Sequence, residues 1–90
     1  MNYEFYVRLE GEYIAIYEGS GVVVEAEYSD GNARAAIIAE LDHHINILQK
    51  EYGDKATEDY ESEQDEFERM KDEYLPMCIA AKEYIKDLKF

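Results

Sequence analysis

The chain reads as an α+β fold: a three-stranded antiparallel meander followed by two or three helices packed on one face of the sheet. Three observations predict this. Apolar residues alternate with period two in residues 3–9 and 22–28, helical periodicity takes over from residue 37, and the turns between the first three segments are too short for anything but antiparallel neighbours. Ninety residues make a single domain spanning 1–90, because two cores would each be too small to fold unaided.

Each element has its own signature. In the first strand Tyr3, Phe5, Val7 and Leu9 alternate with Glu4, Tyr6 and Arg8. Glu10-Gly11 supplies a tight turn. Tyr13 to Tyr17 is apolar or aromatic on both faces, as suits a central strand, and Glu18-Gly19-Ser20-Gly21 is the second turn. The third strand places Val22, Val24, Ala26 and Tyr28 opposite Val23, Glu25 and Glu27. Ser29-Asp30-Gly31-Asn32 breaks the pattern, with Asn32 as the expected cap of the first helix.

On that helix Ile37, Ile38, Leu41, Ile45, Leu48 and Tyr52 gather on one face, which is expected to cover the sheet. Ile47 lies off that face and is available to touch something else. Gly53 sits where a C-cap glycine belongs. Thr57 is the expected cap of the next helix, with Glu58 and Asp59 in its first turn, where the macrodipole favours acids. From there Tyr60, Phe67, Met70, Tyr74, Met77, Ala81, Tyr84 and Leu88 keep a heptad-like phase straight through Pro76. Proline removes a helical hydrogen bond and clashes with the preceding turn, so a kink or short break is expected near Leu75 and Pro76.

Charge is the most informative feature. The chain carries 22 Asp and Glu against 9 Lys and Arg, net −13 at pH 7, with 47% hydrophobic residues, which are enough for one core. Such a surface repels nucleic acid and anionic membrane and suits a basic partner. The charge is blockwise. Residues 1–32 carry net −6, residues 33–56 net −1, residues 57–75 net −7 and residues 76–90 net +1. Glu58, Glu61, Asp65, Glu68 and Asp72 form one stripe on the second helix, while Asp59, Glu63, Glu66 and Glu73 flank its apolar side. One acid per ~2.7 Å of helix axis falls between the charge spacings of duplex and single-stranded DNA, ~1.7 and ~3.4 Å. Acidity for solubility alone is the bland alternative.

Nine tyrosines accompany the acids. Tyr6, Tyr13 and Tyr17 share one sheet face if the strand register allows it, and tyrosine beside carboxylate suits an interface with a basic groove. Tyr28, Tyr60 and Tyr74 are expected to fill a core that has no tryptophan. The expected partner-binding residues are Glu25, Glu27, Glu58, Asp59, Glu61, Asp65, Glu66, Glu68 and Asp72, with Tyr6, Tyr13 and Tyr17.

Little points to chemistry. Glu40 and His43 have the Glu-x-x-His spacing of helical di-metal sites, but those sites need a second such pair, and His43 and His44 read better as solvated or capping residues. Cys78, between Met77 and Ile79, reads as a buried thiol with no basic cluster to activate it. Gly19-x-Gly21 is a hairpin turn and not a phosphate loop. No catalytic residue, metal or cofactor is expected, and the chain is expected not to be an enzyme. A lone cysteine excludes an internal disulfide, and the start Met1-Asn2-Tyr3-Glu4 lacks a basic, then apolar, leader. A cytoplasmic protein is expected.

In overall character the chain resembles the small acidic inhibitors that bacteriophages make against host nucleic-acid-processing systems, the anti-restriction and anti-CRISPR proteins. The likeness lies in its size, in the segment Glu58-Asp59-Tyr60-Glu61-Ser62-Glu63-Gln64-Asp65-Glu66, and in the order of sheet then helices. It holds at the level of the class and transfers no residue. It implies a partner that is a basic nucleic-acid-binding protein or ribonucleoprotein, met in the host cytoplasm, with carboxylates standing in for phosphates. Three strands followed by a helix also resemble antitoxins of the HicB type, which implies an accessory or regulatory subunit. Such a subunit would homodimerise through Ile47 and the tyrosine-rich face.

Overall fold

The computed structural model describes residues 3–53 and 63–89. The expected α+β meander is what the chain forms: β1 (Phe5–Glu10), β2 (Tyr13–Glu18) and β3 (Gly21–Glu27) make an antiparallel sheet in sequence order. Helices α1 (Ala33–Leu48) and α2 (Gln64–Asp87) follow. Both hairpin loops have two residues, with Gly11 (φ 60°) and Gly19 (φ 59°) in the first position. A type II′ turn needs a left-handed residue there, and its twist matches that of the flanking strands.

Register assigns the faces. Cross-strand partners share a side, so Val7–Ile16–Val24 and Leu9–Ile14–Ala26 form rows across the face under the helices. Ile14, Ile16, Ile37, Leu41, Cys78, Ala81 and Ile85 are fully buried there. The alternation expected of β3 does not hold throughout. A register shift opposite Ile16 and Tyr17 pairs Val22 with Tyr17 and turns Val23 into the core, leaving Val22 exposed. An extra residue at a bulge reverses the side of everything before it.

Helix α1 buries Ala33, Ile37 and Leu41 against the sheet, with Ile38 and Ile45 partly covered. It ends at Leu48 with Gln49 as its cap, so Gly53 (φ 92°) shapes a later turn and Tyr52 lies beyond the helix. Asn32 contributes its carbonyl, not its side chain, to the helix start: the Ala36 N–H donates to it at 3.0 Å. Ile47 is buried, with Leu48 and Phe67, in a second cluster backed by Met70, Tyr74 and Leu75. The expectation that Ile47 faces a partner is therefore corrected. The end of α1 turns it into the start of α2.

Helix α2 is helical from Gln64 to Asp87, through Pro76, so the described residues hold two helices. Pro76 and Asp72 are both exposed, which places the carbonyl that loses its amide donor toward water. Glu63 is extended (φ −72°, ψ 162°), so this helix starts at Gln64 and not near Thr57. Thr57, Glu58, Asp59, Tyr60 and Glu61 lie outside the described residues. Across the helices Lys82 Nζ lies 2.6 Å from Asp42 Oδ1, and Arg34 donates to the Leu88 carbonyl. The Tyr74 hydroxyl donates to the Val23 carbonyl and ties α2 to the bulge.

Candidate partner-binding surface

With both helices on one side, no described element covers the opposite sheet face, and the register orders it as a grid. Its rows are Tyr6–Tyr17–Val22, Arg8–Ala15–Glu25 and Glu10–Tyr13–Glu27, each running from β1 through β2 to β3. Tyr6 and Tyr17 stack with ring centroids 5.1 Å apart and planes 8° from parallel. Such a cross-strand aromatic pair contributes about 0.5–1.5 kcal/mol beyond the area it buries. Tyr6 (44%), Tyr13 (53%) and Val22 (54%) remain substantially exposed. Ala15, at the centre, is only 8% exposed. Tyr6, Tyr13 and Tyr17 thus share one face, with Glu25 and Glu27.

At the β1–β2 hairpin end the face turns acidic. Glu10, Tyr13 and Glu25 line a shallow depression, and Glu12 and Glu27 line another around the corner with Tyr28 and Ser29. Tyr28 closes this end, its N–H donating to the Glu12 carbonyl at 2.8 Å. Arg8 is the one base in the grid.

The second acidic surface lies elsewhere. Phe67, Cys78, Ala81 and Ile85 mark the buried side of α2, and by helical phase Asp65, Glu68 and Asp72 project away from it. Glu66 and Glu73 are exposed on its flank. The hydrophobic core therefore separates these carboxylates from Glu25 and Glu27, and the two acidic blocks form two surfaces. Between Gln64 and Leu75 the helix holds five acids against Arg69 and Lys71. That is one acid per ~3.6 Å of axis, sparser than a helix beginning at Thr57 would give. Lys71 also sits 5.4 Å from the Phe67 ring centroid. Among the described residues the ion pairs are His44–Glu40, Lys82–Asp42 and Lys86–Glu83, so Glu25, Glu27, Asp65, Glu66, Glu68 and Asp72 have no ion-pair partner.

Glu40 pairs with His44 (3.3 Å) and not with His43, and His44 meets the Tyr74 ring edge-on at 5.9 Å. Burial pushes the His44 pKa below 6.5, against the opposing pull of Glu40. Cys78 is fully buried, and burial raises its thiol to about 11. Among the described residues no three His, Cys, Asp or Glu side chains converge on a point that would hold a metal, and no helix is long and apolar enough to cross a membrane. Sequence reading missed Glu10 as a member of the acidic face. Its place two residues after Arg8, on the side opposite Val7 and Leu9, was the available signal.

No protein-family model matches the chain, no curated protein resembles it, and no solved structure matches its fold.

Proposed function

We propose that this chain is a binding protein that inhibits a basic nucleic-acid-binding protein or ribonucleoprotein complex by presenting carboxylates in place of phosphates, in the manner of anti-CRISPR and anti-restriction proteins. The observation that supports it is the outward display, on two surfaces, of carboxylates with no ion-pair partner among the described residues, in a chain of net −13. Carboxylates kept free of internal cations stay available to Arg and Lys of a partner, and like charges held together on a folded surface favour counter-charged groups over water. A homodimer or antitoxin-like subunit is the second reading. With Ile47 buried it would need the tyrosine face, where the carboxylates of two copies repel one another.

The test immobilises the chain and passes over it the heparin-binding fraction of a bacterial lysate. Retained proteins should elute at modest NaCl and be displaced by duplex DNA or by RNA. An Asp65→Lys/Glu68→Lys/Asp72→Lys variant and a Glu25→Lys/Glu27→Lys variant should separate the two surfaces, and at least one should lose retention. Retention indifferent to salt and to nucleic acid, and tolerant of both variants, would overturn the reading.

A further inference from the structure

We infer that the open sheet face docks arginine side chains of a protein partner, with Tyr13 as the stacking platform and Glu10, Glu25 and Glu27 as the counter-charges. This deepens the functional reading above and rests on it for the class of partner. The surface is the unpartnered side of the sheet, which carries exposed Tyr6, Tyr13 and Val22 that no element of the described fold covers.

The occupant follows from charge and spacing. Adjacent strands lie ~4.8 Å apart and same-face residues on one strand ~6.8 Å apart. Glu10 and Glu27 therefore flank Tyr13 at about one strand spacing on either side, and Glu25 stands one row further along β3. A cation over the Tyr13 ring meets Glu10 and Glu25, which line the same depression, with Glu27 opposite Tyr13 in register on the neighbouring strand. A guanidinium suits this better than an ammonium. It is flat enough to lie on the ring, sheds water more readily, and can use its edge donors on a carboxylate while its face stacks. Arg8, the one base, stands on the β1 side of the grid, one same-face position before Glu10 at the end of the strand, so the acidic end around Tyr13 is the docking point. A polyanion is repelled by this end, and so is a second copy, which would bring its own three carboxylates against these.

The experiment titrates the whole chain with two fluorescent peptides, one alternating arginine with glycine and the other lysine with glycine. The arginine peptide should bind about three- to five-fold more tightly at low salt. Tyr13→Ser and Tyr13→Leu should each erase that preference, and Tyr13→Phe should retain it. Glu25→Gln/Glu27→Gln should weaken both peptides together. Amide NMR shifts should perturb β1–β3. Equal affinity for the two peptides would overturn the assignment. So would loss of binding on Asp65→Asn/Glu68→Gln/Asp72→Asn with the sheet variants unaffected. The inhibitor reading fails separately: an arginine preference alongside lysate proteins that duplex DNA and RNA do not displace would leave this site standing without it.

Discussion

Cys78 shows what one buried group does to the pH behaviour of the chain. It lies in the core with Ile14, Ile37 and Ala81, and desolvation holds its thiol near 11, offset only in part by a hydrogen bond with Tyr74. The unfolded thiol ionises near 9.0. A pKa raised on folding means that the unfolded state loses its proton first as pH rises. The stabilisation is therefore complete below about 9 and is lost between about 9 and 11, up to about 2–3 kcal/mol. Urea titrations at either end of that window should show a steeper alkaline decline for the native chain than for Cys78→Ala. Native Cys78 should also resist iodoacetamide until urea unfolds the chain. Rapid labelling of the folded chain would contradict the burial. This residue was legible from sequence, since an apolar neighbourhood without bases marks an inert thiol. The face of Val22 and Val23 was not, because a bulge depends on how two strands pair and not on either strand alone.

Among the elements, α2 carries the most instructive disagreement between local rule and packing. A proline at its centre argues for a break, yet the helix passes through Pro76, because Tyr74, Cys78 and Ala81 on both sides of it pack the same core. Tertiary burial outweighs the lost hydrogen bond, as it often does for a helix whose stability comes from one packed face. Since Pro76 is exposed, Pro76→Ala should restore the amide donor to the Asp72 carbonyl and remove the ring clash with little packing lost. It should raise stability by about 1–3 kcal/mol in urea unfolding. A destabilised variant would mean that the ring itself contributes contacts. Strands, turns and the apolar phase of both helices were readable because periodicity of 2 and of 3.6 is a local property. Helix ends were less so. Gly53 looked like the cap of α1, but the chain leaves the helix at Gln49, where Ile47 and Leu48 turn to meet Phe67.

For the whole molecule, net charge sets the dependence of stability on salt. At −13 the folded state concentrates repulsion that the unfolded chain spreads out, and the ion pairs among the described residues offset little of it, exposed pairs contributing about 0–1 kcal/mol each. Raising NaCl from about 0.01 M to about 0.15 M shortens the screening length from ~30 Å to ~8 Å, so Tm should rise by several degrees. A flat or falling Tm would show that the acids are compensated within the fold.

The division between sequence and structure follows from this. Composition and periodicity by themselves determined an acidic α+β fold, the order of its elements, its apolar faces and the candidate tyrosines and carboxylates. All of these depend on residue identity and on spacing along one element. Only the tertiary structure decided that Tyr6, Tyr13 and Tyr17 stand together with Glu25 and Glu27 on an open face, because strand register brings together residues far apart in the chain. The same structure set Asp65, Glu68 and Asp72 on the other side of the core and closed Ile47 inside it. Both outcomes depend on which way an element turns when it packs, and that is settled between elements, not within them.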